Sequence, residues 1–225
     1  MRSCKALGVV VFALAAQSVL AQPVPVPEIT RHYGPLYGEK LVEYARAQGF
    51  DEPEEEKAVV AHELVHIAQA HNRGYYFDGV YQGPYLLDPV WQSFGLPTNK
   101  QVLAKMSHDQ KNGFIPRNYA GNTPDNTLSN VIDEINAYRL TAPWICTRSY
   151  PERCRKQVIA LSGHLDLAAQ HLSLLRREQP EQAERFRASP AGKLAMRLIL
   201  AGAATLEQIG GKPTSATKEF AIWKE

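Results

Sequence analysis

Apolar positions recur at helical spacing along three segments of the chain. In the C-terminal third, leucine-rich segments over Cys154–Arg177 and Pro190–Ile209 repeat an apolar residue every three or four positions. Nearer the N-terminus, Ala58–His71 contains neither Gly nor Pro and is apolar through most of its length. This period is typical of helices that bury one face. We predict a helix over each segment, and we expect the two leucine-rich helices to form the core.

Local start and stop signals predict shorter elements. Asp51 and Glu54 have capping-box spacing at the start of the helix over 58–71. The aromatic, Gly and Pro residues of Asn72–Thr98 predict a loop that can include a short hairpin. Three more helices are predicted: Leu36–Gln48, Asn99–His108, and one that Thr123 starts and that ends near Leu140 after a polar loop. The fold class is mainly α, a single helical domain over 36–225 with at most a small β element.

The charges of the chain are balanced. Of 225 residues, 25 are Lys or Arg and 23 are Asp or Glu. Two of the basic residues, Arg2 and Lys5, belong to the first 21 residues, which contain no acid, so 23 basic and 23 acidic side chains remain. Proteins that bind nucleic acid normally present a basic face. We therefore expect no nucleic-acid partner, and the length suits one domain.

Residues 1–21 are predicted to be a signal peptide. Two basic residues are followed by the apolar stretch Leu7–Ala16 and by Val19-Leu20-Ala21, which suits a signal peptidase site. The apolar stretch is shorter than the ~20 residues of a membrane-spanning helix, so we expect no membrane span after cleavage. The mature chain would begin at Gln22 with a Pro-rich lead-in over 22–35, and the protein would be exported to the periplasm or secreted.

Export changes the interpretation of the cysteines. Cys4 leaves with the signal peptide, so the mature chain carries Cys146 and Cys154 as a pair. Two thiols at this spacing in an oxidising compartment favour a local disulfide, and two isolated thiols are too few for a structural zinc site. We predict a disulfide that fixes the turn between two helices.

The segment Ala61–His66 contains the pattern H-E-x-x-H within the helix predicted over 58–71. At ~100° per residue, His62 and His66 leave the same helix face one turn apart and can bind one metal ion together. Glu63 points to the adjacent side, where it can deprotonate a metal-bound water without being a ligand. The alternative is a histidine pair on a packed helix without a metal, but burying these groups among apolar residues is costly without a partner.

The other histidines are not expected to bind metal. His164 and His171 lie seven residues apart in the helix over 154–177, and we expect them on the helix surface. His71 lies nine residues beyond His62, roughly on the opposite side of the helix, and suits a cation at the helix C-terminus.

The segment His62–His66 resembles the active-site helix of zincin metallopeptidases. In metzincins the motif continues with a Gly and a third histidine, but Gln69 and Asn72 occupy those positions here. In gluzincins the third ligand is a glutamate on a later helix, and Ile132–Arg139 offers a match. Zincins usually place a sheet before the metal helix, whereas any strand of this chain is expected to come from the aromatic loop or to be very short.

The gluzincin resemblance implies that Glu134 is the third ligand of one Zn²⁺ ion. Asp133 is the competing candidate, and a solvated acidic pair is the remaining alternative. Ala137 is small enough to let this helix approach the metal helix closely. Gluzincins often carry an aspartate four residues after the ligand, where it orients a zinc-bound histidine. Tyr138 stands at that position here, so the outer shell is expected to differ.

The resemblance implies an exported zinc hydrolase, in the first instance a peptidase with a peptide or protein substrate. His62, His66 and Glu134 would hold the zinc ion, and Glu63 would act as general base and then donate a proton to the leaving amine. The oxyanion of the intermediate also needs a donor. The sequence does not choose among six candidates: Tyr75, Tyr76, Tyr85, Tyr138, His108 and Arg139.

Two rival interpretations stay open. In the first, the protein is an exported helical binding or scaffold protein whose zinc site is structural or degenerate. A fourth protein ligand such as His71 or His108 would then close the coordination sphere. In the second, the protein is a zinc hydrolase that acts on another substrate, such as a cell-wall amide.

Overall fold

The computed structural model describes residues 53–86, 88–146, 151–212 and 216–224. The predicted signal peptide over 1–21, the Pro-rich lead-in over 22–35, the helix over 36–48 and the capping residue Asp51 lie outside these ranges. Within these ranges, no helix has both the length and the apolar character needed to cross a membrane.

The described chain is mainly helical with one two-stranded antiparallel sheet, so the predicted fold class is confirmed. The elements in chain order are α1 (Pro53–Asn72), β1 (Tyr75–Phe77), β2 (Val80–Gln82), α2 (Pro89–Gln92), α3 (Asn99–Lys105), α4 (His108–Lys111), a π-helical turn (Pro116–Ala120), α5 (Leu128–Cys146), α6 (Pro151–Glu178), α7 (Pro180–Ala188), α8 (Pro190–Gln208) and α9 (Ala216–Lys224).

The three long helices predicted from apolar periodicity are present as α1, α6 and α8. The start of α8 has residues that are typical of a helix N-terminus. The Ser189 side chain caps the helix by accepting a hydrogen bond from the backbone N–H of Gly192, and Pro190 occupies the first turn. After α8, Gly210 adopts a φ of 84°, which a residue without Cβ tolerates. The predicted hairpin in the aromatic loop is β1–β2, with Tyr75 opposite Gln82 and Phe77 opposite Val80.

The prediction that Thr123 starts the next helix is wrong, because α5 begins at Leu128. The Thr123 hydroxyl donates to the Tyr119 carbonyl at 2.9 Å, and the Asn99 amide donates to the Thr123 carbonyl at 2.9 Å. These bonds hold Thr123 in a turn that precedes the helix. Helix α5 also continues through Pro143 to Cys146, beyond the predicted end near Leu140.

The segment predicted as a polar loop after His108 contains the short helix α4 and the π-helical turn. The side chain of Ser107 and that of Gln110 form a reciprocal capping box at the start of α4. Asn112 to Asn122 is rich in Gly and Asn, which predicts a loop, but the buried side chain of Ile115 anchors this segment on the core. Tertiary packing therefore orders a stretch that is polar by composition.

Helix α6 lies at the centre of the domain, where α5, α8, α9 and α7 pack around it. Its buried face carries a run of leucines, among them Leu161, Leu165 and Leu172. Helix α8 also packs closely on α5, since a Cβ placed at Gly202 would lie 2.5 Å from Ile135 Cγ2. These contacts hold α5 on two sides, so α5 is a rigid platform.

The predicted disulfide is present between Cys146 and Cys154. It joins the last residue of α5 to the first turn of α6. A local cross-link of this kind stabilises a fold by about 2–4 kcal/mol. The disulfide thus fixes the α5–α6 corner, as expected.

The prediction that His164 and His171 lie on the helix surface is wrong. They are 2% and 0% exposed, because α6 is covered by its neighbours on nearly every side. The Nδ1 atom of His164 lies 2.9 Å from the Ala160 carbonyl, and the ring of His171 lies between the Pro97 carbonyl at 3.0 Å and Asn99 Oδ1 at 2.9 Å. Polar partners inside the core compensate in part for the loss of water, whereas Nε2 of His164 is buried without a hydrogen-bond partner.

We expect His171 to make the fold sensitive to mild acid. Burial lowers the pKa of His171 to about 4, although the hydrogen bond to the Pro97 carbonyl acts in the opposite direction. Because the unfolded histidine titrates near 6.5, the unfolded chain binds more protons between pH 6.5 and 4, and stability falls as the pH drops through this window. We expect His171 alone to remove roughly 2 kcal/mol between pH 7 and 5.

Denaturant unfolding at both pH values measures this loss. His171→Gln should reduce the pH dependence, whereas His108→Gln, at an exposed position on α4, should leave it unchanged. Equal pH dependence in wild type and His171→Gln would contradict the assignment.

Candidate metal centre

The candidate site lies where α1 packs against α5. A small apolar cluster joins the two helices, formed by Leu64, Val65 and Ala68 of α1 and Ala137 of α5. Ala137 is fully buried, as expected for a small residue that allows close approach. The polar side chains of α1 and α5 that form the candidate site lie beside this cluster.

Three side chains bring one donor atom each to a common point. His62 Nε2 lies 3.1 Å from His66 Nε2 and 3.2 Å from Glu134 Oε2, and His66 Nε2 lies 3.9 Å from the same oxygen. The edge of a tetrahedron with ligand distances of 2.0–2.1 Å is about 3.3 Å. The three atoms therefore have nearly the separations of three ligands around one metal ion.

The donor set fits a divalent transition metal. Two imidazole nitrogens that face each other at 3.1 Å both present lone pairs when each ring carries its proton on Nδ1, and a cation placed between them would relieve that repulsion. Imidazole and carboxylate together suit zinc and its neighbours. The side chains of His62, His66 and Glu134 are 13%, 19% and 22% exposed, so the group is partly accessible to solvent.

Among the described residues, no fourth His, Cys, Asp or Glu joins this group. His71 lies exposed at the end of α1 and His108 lies exposed on α4. The part of the chain that the structure describes thus offers three candidate donors, which would leave the fourth position of a tetrahedral ion open.

Asp133, the competing candidate for the third ligand, lies on the far side of His66. Its Oδ2 atom is 2.6 Å from His66 Nδ1, and its side chain is 8% exposed. Successive residues of a helix point about 100° apart, so Glu134 reaches the donor group while Asp133 reaches the opposite ring nitrogen. A carboxylate in this position fixes the tautomer of a ligating histidine and makes it a stronger donor.

Asp133 is thus the carboxylate that hydrogen-bonds the second ring nitrogen of a donor-group histidine, whereas Tyr138 contacts the group through its ring. The ring of Tyr138 packs against His62 with a centroid distance of 4.4 Å. The carboxylate that faces His66 Nδ1 therefore precedes Glu134 by one residue.

Sequence reasoning missed the residues that hold Asp133. Gln69 donates to Asp133 Oδ1 at 2.8 Å, and the Tyr85 hydroxyl donates to Asp133 Oδ2 at 3.2 Å. Gln69 also accepts a hydrogen bond from the Asn136 amide. Gln69 and Asn136 are both fully buried. A signal was present, because Gln69 is a polar residue one turn beyond His66 on a largely apolar helix.

The charges of the site are strongly coupled. Burial lowers the pKa of His66, but the hydrogen bond and charge of Asp133, with Glu134 and Glu63, outweigh this effect and raise the pKa to about 9. Burial raises the pKa of Glu134, whereas its hydrogen bond to His62 and the nearby histidines lower it to about 2. Glu134 is therefore ionised at neutral pH, as a metal ligand must be, and a metal would displace a proton from His66.

Glu63 is half-buried and makes no hydrogen bond or ion pair with another described residue. Its charge contributes to the raised pKa of His66 and of Tyr138, which places it near both. The site therefore contains a carboxylate that is not a member of the donor group and that forms no hydrogen bond or ion pair within the described part of the chain.

The six candidate oxyanion donors differ in their surroundings. The hydroxyls of Tyr75 and Tyr85 donate to the Ser129 carbonyl and to Asp133, and the Arg139 guanidinium donates to the Tyr76 carbonyl. The remaining side chains are Tyr76, whose ring packs against Tyr81 in the hairpin, His108, which is exposed on α4, and Tyr138, whose ring packs against His62.

Comparisons with protein-family models, with curated proteins and with solved structures give no match for this chain.

We expect the purified protein to bind about one equivalent of Zn²⁺ through this group. His66→Ala and Glu134→Ala should each weaken zinc binding by more than about 100-fold, because loss of an outer-shell partner alone typically costs 10- to 100-fold. Isothermal titration against a competing chelator measures the affinity.

His71→Ala is the matched control, since it removes a histidine from the exposed end of the same helix, and it should bind zinc as wild type does. Retention of wild-type affinity in Glu134→Ala would show that the third ligand is another residue.

Proposed function

We propose that this protein is a zinc-dependent hydrolase that cleaves peptide bonds. The observation that supports this proposal is the convergence of His62 Nε2, His66 Nε2 and Glu134 Oε2, whose mutual distances match a three-ligand zinc site. Catalytic zinc sites typically have three protein ligands and one open position, whereas structural sites have four protein ligands. The donor group fits the first kind.

Zinc held by these three residues would supply a Lewis acid and a water of lowered pKa. Glu63 is the general base in this proposal, because it is the half-buried carboxylate beside the donor group that has no described partner. It takes a proton from the attacking water and passes it to the leaving amine. Asp133 holds the His66 ring so that Nε2 faces the reaction centre.

Tyr138 is the best-placed oxyanion donor of the six candidates. Its ring lies against His62 at 4.4 Å, one helical turn beyond Glu134, and its hydroxyl makes no hydrogen bond with a described residue. A preorganised hydroxyl beside the metal stabilises the developing negative charge on the substrate oxygen.

We propose a peptide or protein as the substrate and export as the location. The Cys146–Cys154 disulfide is compatible with an oxidising compartment, which agrees with the signal peptide predicted over residues 1–21. The proposal includes neither a nucleic-acid partner nor a membrane span of the mature chain.

We expect Glu63→Gln to lose hydrolytic activity by about 10²- to 10⁴-fold, the usual contribution of general acid–base catalysis, while its zinc content stays at the wild-type level. A set of fluorescence-quenched peptides measures the activity, and a cell-wall amide in the same screen tests the alternative substrate.

Glu207→Gln, an exposed position on α8, is the control and should stay active. If zinc-loaded wild type and Glu63→Gln are equally inactive on every substrate, the site is structural and the protein is better interpreted as a scaffold.

We expect Tyr138→Phe to lower kcat by about 10- to 100-fold with little change in KM, because an oxyanion donor acts mainly in the transition state. Its zinc affinity should match wild type. Tyr76→Phe removes a hydroxyl in the hairpin and serves as the control. A change in KM alone would assign Tyr138 to substrate binding.

A further inference from the structure

Gln69 is the centre of a buried polar network between the hairpin and the metal centre. It lies on α1 one turn beyond His66 and is fully buried. An amide in such a place is costly unless each of its polar atoms is paired. The partners of its amide come from two elements that meet α1 at the site, α5 and β1.

The contacts fix the orientation of the Gln69 amide. Its oxygen accepts a hydrogen bond from the Asn136 side-chain amide and another from the Tyr76 backbone N–H at 3.4 Å. Since both of these groups are donors, the amide oxygen must face them. The nitrogen Nε2 must then face Asp133 Oδ1, which it reaches at 2.8 Å.

Asp133 in turn fixes the orientation of the metal ligand His66. Its other oxygen, Oδ2, lies 2.6 Å from His66 Nδ1 and accepts from the Tyr85 hydroxyl at 3.2 Å. A proton held on Nδ1 leaves the lone pair of His66 on Nε2, which faces His62 and Glu134. Gln69 therefore holds one oxygen of Asp133, and Asp133 holds the His66 ring through its other oxygen.

The hairpin end of the network is anchored by the same helices. Gln69 of α1 accepts from the Tyr76 N–H, and the Tyr76 carbonyl accepts from Asn136 at 3.3 Å and from Arg139 at 2.7 Å. The guanidinium of Arg139 also lies 5.0 Å from the centre of the Phe77 ring. Strand β1 is thus joined through its backbone to the residues that orient His66.

We propose that Gln69 is a positioning residue of the metal centre: it orients Asp133, and through Asp133 the ligand His66, and it couples strand β1 to metal binding. This inference rests on the metal site of the proposed function, but it is independent of the substrate. The coupling is reciprocal, so metal binding also stabilises the hydrogen bond at Tyr76.

A double-mutant cycle on zinc affinity tests the proposal. Gln69→Met is close in shape and removes the amide, and it should weaken zinc binding about 10- to 100-fold, as loss of an outer-shell partner does. Asp133→Ala should weaken binding at least as much. Since Gln69 acts through Asp133, adding Gln69→Met to Asp133→Ala should cause little further loss.

If the role of Gln69 is purely structural, Gln69→Met should lower the stability of the metal-free protein. The effects of Gln69→Met and Asp133→Ala on zinc affinity would then be additive. Additivity of these two effects would overturn the proposal. Gln208→Met, at an exposed position near the end of α8, is the control and should match wild type. If wild type itself binds no zinc, the proposed function fails together with this inference. If wild type binds zinc and only the cycle is additive, this inference alone fails.

Hydrogen exchange of wild type keeps the proposal testable if Gln69→Met does not fold. Zinc should slow exchange of the Tyr76 amide, which donates to Gln69. It should leave the amide of Val90, which donates to the Asp88 side chain in an exposed turn, unchanged. Equal exchange of the Tyr76 amide with and without zinc would overturn the coupling.

Discussion

The contact between α1 and α5 must satisfy two opposite requirements at once. Its apolar part, around Leu64 and Ala137, excludes water and draws the helices together. Its polar part places two imidazoles and two carboxylates in the same partly buried interface, where unpaired charges are costly. The interface is compatible with both requirements because each carboxylate lies against a histidine, Asp133 against His66 and Glu134 against His62.

The rest of the fold holds one side of this interface rigid. Helix α5 packs on α6 and α8, approaches α8 closely at Gly202, and is joined to α6 by the Cys146–Cys154 disulfide. Helix α1 is linked to α5 through the Gln69 and Asn136 amides. Donor atoms on rigid elements are already in place before a ligand arrives, which is what a metal centre or a catalytic site requires.

The adjacent acids of α5 take different parts because of helical geometry. Residues one position apart point about 100° apart, so Glu134 joins the two Nε2 atoms while Asp133 hydrogen-bonds the opposite nitrogen of His66. One dipeptide therefore supplies both a carboxylate of the donor group and the carboxylate that orients His66. Gluzincins often carry the orienting carboxylate four residues after the glutamate, whereas in this chain Asp133 precedes Glu134 by one residue.

The sequence by itself determined the features that depend on local spacing. Helices α1, α6 and α8, the hairpin, the disulfide and the shared face of His62 and His66 follow from periods of a few residues. The tertiary structure decided which of Asp133 and Glu134 lies with the two Nε2 atoms, the burial of His164 and His171, the start of α5 at Leu128, and the hydrogen bonds of Gln69. These depend on which elements meet in space, and the residues that meet can be far apart in the chain: Gln69 and Asp133 are separated by 64 positions.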